Sequence, residues 1–565
     1  MRVLGVNALF HDPSAALVVD GRVVTAAEEE RFSRRKHGKR PVPFAAWELP
    51  EQAMRWCLEA GGLAPGDLDA VAYSFDPGLA EPAEDMGFDD PWDWLRLRYA
   101  ERAPQFLATA LPGLDPGRVR CVPHEVAHAA SAALAAPFDV CSVMSLDGRG
   151  ERTSFLAGRY DGGRLEVLAS QDLPDSLGLV YESLTEHLGF LRSSDEYKVM
   201  ALASYGRPRF LPELRELWRT TPEGGFTARA PDWSRWTPRA APGAVEEPAR
   251  GAPPPGQADL AASVQARLEE LLVELATRLH ERTGDDVLAL AGGTALNCVA
   301  NSRVWRESPF EHVWVQPAAG DAGTALGAAL QVTAEAGVPV HPMTTAALGR
   351  SWPDDALADA LRAARVPFTT PADLAGEVAA VLADDGIVAW FDGRAELGPR
   401  ALGQRSLLAH PGRAGNTERL NEVKGREQFR PVAPVVLLED AAEIFSGGPV
   451  PSPYMLFVHD VAPAWRERVP AVVHVDGTAR IQTVDDDQPR LQALLRAFRA
   501  RTGLPLLVNT SLNTAGRPMV DSPRDALELF GSAPVDVLVL GPHLVRRGDL
   551  AADHAAHPAT PGAGR

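Results

Sequence analysis

The sequence predicts an α/β fold in several units, and three observations carry that prediction. Apolar runs of strand length alternate with helix-spaced segments along most of the 565 residues. A strand, a polar loop and a hairpin open the chain, and the same order recurs at looser spacing from Cys141, which suggests an internal duplication. Near Leu348 the pattern breaks and a new series of helices and strands begins. A chain of this length suggests roughly two to four domains.

In order, VLGVNALF reads as a strand followed by a loop around His11, and AALVVDGRVVTAAEEE as a hairpin turning at Asp20-Gly21. EQAMRWCLEAGG and the stretch around Trp92 to Leu107 carry helical spacing, and an alanine-rich helix runs from His124 to Ala136. CSVMSL, the DGRGE loop and TSFLAGRYDGGRLEVLAS repeat the opening order. Two such halves facing each other would place both polar loops at a shared cleft. The Pro-, Gly- and Ala-rich stretch from about Arg239 to Gln257 reads as a loop or insertion before the amphipathic helix LAASVQARLEELLVELATRLHERTG. VLALAGGTALNCVANSR reads as a buried strand, a glycine turn and a helix start. The tail from about Ala551 is poor in large apolar residues and is expected to be disordered.

A hydrophobic fraction of 45% with 23% charged residues describes a soluble globular chain, and no apolar run approaches the roughly 18 residues a bilayer requires. The amino terminus lacks an export pattern, so the cytoplasm is the default compartment. Cys57, Cys121, Cys141 and Cys298 have no CxxC spacing and read as reduced and structural. A formal charge of -19 counts against broad nucleic-acid binding but leaves room for a local basic pocket.

The spacing of four between His124 and His128 puts both imidazoles on one helix face. With Asp147 at a strand end and Asp321 in a strand-then-glycine setting, they form a candidate site for a divalent first-row metal. HxxxH alone more often marks ordinary histidines, and HEVAH also fits the zinc-protease form. Gly292, Gly293, Thr294 and Asn297 sit where a strand hands over to a helix, suited either to a tight turn or to holding an anion or nucleotide. Arg400, Lys424, Arg430 and Arg480 stand in or beside glycine- and proline-rich turns, with Asn509 and Ser511 after a strand. As a set they suggest a polyanion pocket, although each arginine alone has a simple ion pair as its alternative. His11 could accept a proton near neutrality, and Lys198 could be a surface charge or an anion ligand.

The ordered motifs HDPSAALVVDG, EEERFSRRKH, HEVAHAASA, SLDGRGE, EYKVMALASYG, AGGTALN, GDAGTALGAA, GRAELGPRALGQRS, FRPVAP and NTSLN span nearly the whole chain. Together they resemble the NodU/CmcH-type O-carbamoyltransferases. The resemblance implies an actin-like ATPase-type duplicated domain over residues 1–347, a YrdC-like α/β domain over 348–550, and the tail 551–565. It also implies that carbamoyl phosphate and ATP, with Mg2+, form carbamoyl adenylate in the second domain, held by Arg400, Lys424, Arg430, Arg480, Asn509 and Ser511. Transfer to a small-molecule hydroxyl, as in antibiotic biosynthesis, then follows in the first domain, with iron(II) on His124, His128, Asp147 and Asp321 and His11 as the base. A tRNA-modifying threonylcarbamoyl transferase is the nearest alternative, disfavoured by the acidic charge. A non-catalytic nucleotide-binding protein is another. No membrane or nucleic-acid partner is expected, and a homodimer is the default assembly.

Overall fold

The computed structural model describes residues 1–38, 48–87, 90–241 and 255–550. Most of the proline-rich stretch and the whole tail after 550 lie outside the described residues.

Two five-stranded sheets share one topology. In the first, Arg22–Glu28, Ser14–Val19 and Arg2–Asn7 form an antiparallel meander, and Ala70–Tyr73 and Val119–Cys121 add in parallel. In the second, Arg164–Asp172, Thr153–Asp161 and Val140–Leu146 form the meander, and Val287–Ala291 and His312–Val315 add in parallel. Strand order and direction therefore match one for one, which is the duplicated α/β arrangement of an actin-like ATPase domain. The expected hairpin turns at Asp20 and Gly21, both in the left-handed region (φ 48° and 75°), as a two-residue loop between right-twisted strands requires.

In each half the fifth strand leads into a helix: His124–Ala133 in the first and Thr324–Glu335 in the second. These helices pack against each other between the sheets. Their composition allows the approach, because the first buries Ala127, Ala129, Ala130, Ala132 and Ala133 and the second buries Ala325, Ala328 and Ala329. At Gly327 a Cβ would stand 1.8 Å from the Ala127 carbonyl oxygen, so only glycine lets the backbones meet there. The expected amphipathic helix runs over Pro255–Thr283 and flanks the second sheet.

A third sheet of seven strands, mixed in direction, lies beyond: Gln482–Val484, Ala433–Leu437, Leu506–Ser511, Arg405–Ala409, Val388–Phe391, Val537–Leu540 and His543–Arg546 in spatial order. It has its own large core. The units interlock, since Leu397 joins a core of the first half and Leu456 and Phe457 join that of the second. The buried Arg31 guanidinium donates to the Gly398 carbonyl at 2.9 Å, while Glu28 accepts the Gly398 N–H at 2.9 Å. The EEERFSRRKH segment thereby grips the backbone of the GRAELGPRALGQRS loop.

Cys57, Cys141 and Cys298 are buried, Cys121 is exposed, and all four are free thiols. No helix among the described residues is long and apolar enough to cross a membrane.

Gly327→Ala should lower the unfolding free energy by about 1–3 kcal/mol despite alanine's better helix propensity, because the added methyl overpacks a backbone contact. Urea denaturation of the purified variant measures this.

Candidate active site

The two central helices begin at equivalent points of the two halves, and their starts carry the site. His124 and His128 project from the first helix, Asp321 begins the turn that enters the second, and Asp147 follows the strand Val140–Leu146. One ligand atom from each of the four lies within 4.8 Å of the others, and all four residues are buried. His124 Nε2 is 3.8 Å from Asp147 and 3.7 Å from Asp321; His128 Nε2 is 3.8 Å and 3.6 Å from the same pair.

The surroundings orient each group. His124 Nδ1 lies 3.1 Å from the Ser74 carbonyl, which can only accept, so Nδ1 carries the proton and Nε2 faces the carboxylates. The His124 N–H donates to Glu151 of the DGRGE loop at 2.9 Å, so a carboxylate sits at the helix start. Asp147 accepts the Gly293 N–H at 2.8 Å, and Asp321 accepts the His11 N–H at 3.0 Å. Gly292 has φ 86°, and a Cβ there would stand 2.1 Å from the Leu146 oxygen. The GGT turn is thus pressed onto the strand that presents Asp147.

The donor set fits a divalent metal. His124 Nε2 and both nitrogens of His128 are buried with no hydrogen-bond partner, beside two carboxylates. Such a group must acquire positive charge, either as protons or as a cation. Without a cation, burial tends to lower His124, but Asp147 and Asp321 raise it well above the usual histidine range. Burial tends to raise the two aspartates, yet both are lowered: the neighbouring His124 and His128 imidazoles outweigh burial and Asp321 at Asp147, and the same two imidazoles hold Asp321 down. The remaining acid of HEVAH, Glu125, is buried and bonded to Ser145, with burial pushing it up to about 7.

Beside this cluster His11 Nδ1 lies 2.9 Å from Asp12, whose other oxygen lies 2.9 Å from His37 Nδ1. Burial alone would raise Asp12, but the two imidazoles hold it well below the usual carboxylate range. Lys36, next in sequence to His37, lies 5.8 Å from the Tyr197 ring centre, and the Arg430 guanidinium lies 4.6 Å from the same ring. Tyr197 is thus shared by a residue next to His37 and a residue of a second cluster.

That cluster is rich in cations. Arg400 is within 3.3 Å of the Leu296 carbonyl in the GGTALN turn, and Arg400 Nε and Arg480 Nε are buried without partners. Burial and then Arg480 lower Arg400 to about 9. Lys424 is buried and bonded to Ser511 Oγ at 2.9 Å and Asn513 Oδ1 at 2.6 Å. Burial, Arg426 and Arg430 lower it well below the usual lysine range. Arg426, which the motif reading passed over within KGREQFR, is lowered by burial and by Arg430. Asn509 donates to Gln482 at 2.8 Å and keeps a buried Oδ1 without a partner.

Other candidates have structural work. Lys198 forms ion pairs with Asp195 at 3.0 Å and Glu427 at 2.8 Å, joining the first domain to the cation cluster. Asn297 caps the helix Cys298–Glu307 through the Ala300 N–H at 3.1 Å and pairs with Gln265. Thr294 lies in the turn Gly293–Leu296. The sequence reading did not single out Asp12, His37, Glu151 or Arg426. The KH pair within EEERFSRRKH was the available signal for His37.

Residues 2–107 and 110–330 match the carbamoyltransferase N-terminus family, and residues 379–547 match the carbamoyltransferase C-terminus family. Nodulation protein NolNO of Sinorhizobium fredii is 36% identical over 96% of this chain and 80% of its own length. Nodulation protein U of the same species is 33% identical over 94% of this chain and 96% of its own. An activator of 2-hydroxyisocaproyl-CoA dehydratase from Clostridium difficile aligns with 60% of this chain and 97% of its own, at 14% identity and a TM-score of 0.31. The strand order shared by the two halves defines the fold. The chain belongs to the carbamoyltransferase family. It is a transferase of that family.

Purified protein should hold one divalent metal per chain, and His128→Ala should lower that content while leaving the fold intact. Elemental analysis with circular dichroism measures both.

Proposed function

We propose that the protein is an O-carbamoyltransferase with two linked sites, one forming carbamoyl adenylate from carbamoyl phosphate and ATP and the other passing the carbamoyl group to an alcohol. The observation that carries this reading is the proximity of two opposite charge patterns near Tyr197: Arg400, Arg426, Arg430, Arg480 and Lys424 gather with few carboxylates, and the imidazole–carboxylate cluster lies next to His11, whose N–H Asp321 accepts. Buried cations with unpartnered N–H groups suit a polyanion such as a nucleoside triphosphate with an acyl phosphate. Lys424 and Arg430 would bind phosphate oxygens, with Ser511 and Asn509 orienting the nucleotide.

For transfer, His124, His128, Asp147 and Asp321 would hold the metal, for which iron(II) is the candidate. When bound, it would supply positive charge next to the phosphate that leaves with AMP. His11, backed by Asp12, is the sequence-based candidate to take the acceptor's proton. The boundary near 347–348, the nucleotide's Mg2+ and a specialised metabolite as acceptor belong to the same proposal.

Without any acceptor, the enzyme should take up one water and release phosphate from carbamoyl phosphate and pyrophosphate from ATP in equal amounts, pyrophosphate appearing only when carbamoyl phosphate is present. Arg430→Ala should slow that reaction about tenfold or more, matching a charge-assisted contact of roughly 1.5–3 kcal/mol. A wild-type rate in that variant would remove Arg430 from the anion site. His11→Asn should leave this half-reaction intact and slow carbamate ester formation, as measured with supplied carbamoyl adenylate.

A further inference from the structure

Ser194, His37 and Asp12 stand in a hydrogen-bonded line that no motif announces. His37 Nε2 lies 2.9 Å from Ser194 Oγ, and His37 Nδ1 lies 2.9 Å from Asp12 Oδ1. Asp12, held ionised, can only accept, so Nδ1 carries the proton and Nε2 is left to accept the serine O–H. The arrangement is that of a base already engaged with an alcohol and oriented by a carboxylate. His37 and Ser194 are both partly accessible.

The backbone singles out the same place. Nine described non-glycine residues have φ in the left-handed region, and four lie here: Phe10 (58°), Asp12 (42°), His37 (59°) and Ser193 (56°). Backbone of this kind persists where surrounding contacts force it, and functional sites are where it gathers. The contacts are present: Asn7 Nδ2 donates to the carbonyls of His11 and Asp12 at 2.8 and 3.1 Å, Glu30 accepts the His37 N–H at 2.8 Å, and Glu196 accepts the Ser193 N–H at 2.8 Å. Three separate segments are thus held in costly conformations to bring one imidazole, one carboxylate and one hydroxyl into line. The group adjoins the metal-candidate cluster, since the His37 and His11 rings are 4.4 Å apart and the His11 N–H binds Asp321.

We infer that His37 is a catalytic base for transfer, and that the acceptor alcohol binds His37 Nε2 in the position Ser194 Oγ occupies in the free enzyme. The inference rests on the two-site reading above and deepens its second step. The acceptor oxygen attacks the carbamoyl carbon as its proton passes to His37 Nε2. The new C–O bond forms, the bond from that carbon to the phosphate oxygen breaks, and AMP leaves. Ser194 then returns to the imidazole once the product departs. His11 and His37 share Asp12, so replacing either should disturb the other's orientation; the hydroxyl of Ser194 sits on His37 Nε2.

The test supplies carbamoyl adenylate directly, so a failure of adenylate formation cannot be mistaken for a failure here. The acceptor is whichever of glycerol, glucose and an aminoglycoside the wild type carbamoylates fastest. His37→Asn should slow ester formation by about 10² to 10⁴ while acceptor-free pyrophosphate release stays at the wild-type rate. His37→Ala should regain part of the lost rate when imidazole is added, which a merely structural histidine would not do. Ser194→Ala should keep transfer, with an equal or lower KM for the acceptor. Two results would overturn the inference: wild-type transfer by His37→Asn, or loss of transfer in Ser194→Ala together with a carbamoylated Ser194 peptide, which would make the serine a nucleophile.

Discussion

Two carboxylates buried against two imidazoles are the constraint on which the rest of this structure depends. Asp147 and Asp321 both come from the second half of a duplicated domain, one after its opening strand and one at the start of its central helix, and both must be desolvated next to His124 and His128 from the first half. Negative charge cannot be buried there without a positive partner. The helices that meet at this point are alanine-rich, with one glycine at their closest approach, the DGRGE loop supplies Glu151 to the helix start, and the GGT turn spends the Gly293 N–H on Asp147. Several motifs that look separate in sequence thus serve one cluster.

The second unit is built on the opposite electrostatic condition. Arg400, Arg426, Arg430, Arg480 and Lys424 collect cations within an acidic chain, and burial pushes Arg400, Arg426 and Lys424 toward releasing their protons. A bound polyanion would reverse that tendency. The two charge patterns are brought together by Arg31 and Glu28 gripping Gly398, two residues before Arg400, and by Lys36 and Arg430, which both lie near Tyr197. An anionic intermediate moving between the sites would therefore stay beside positive charge.

Much of this was legible in the sequence, for identifiable reasons. The duplication followed from repeated strand–loop–hairpin order, and the metal candidates from i,i+4 histidines and two strand-end aspartates. Local spacing reports such features well, because period and turn chemistry are written over a few residues. What it could not report was the partner of each polar group. Asn297 resembled an anion ligand but caps a helix, and Lys198 is neutralised by carboxylates from two segments. The KH pair hinted at His37, but its hydroxyl partner Ser194 lies 157 positions away. Arg426 was hidden among neighbouring basic residues whose burial only the folded chain defines.

The central claim is that adenylate formation and carbamoyl transfer occupy different clusters, and Asp321→Asn tests it most directly. It preserves shape while removing one buried negative charge from the first cluster and none from the second. Both half-reactions would be followed in one preparation: pyrophosphate release from ATP with carbamoyl phosphate, and ester formation from supplied carbamoyl adenylate. The account predicts wild-type pyrophosphate release with transfer lost. Equal loss of both half-reactions in a folded variant, or transfer at the wild-type rate, would contradict it.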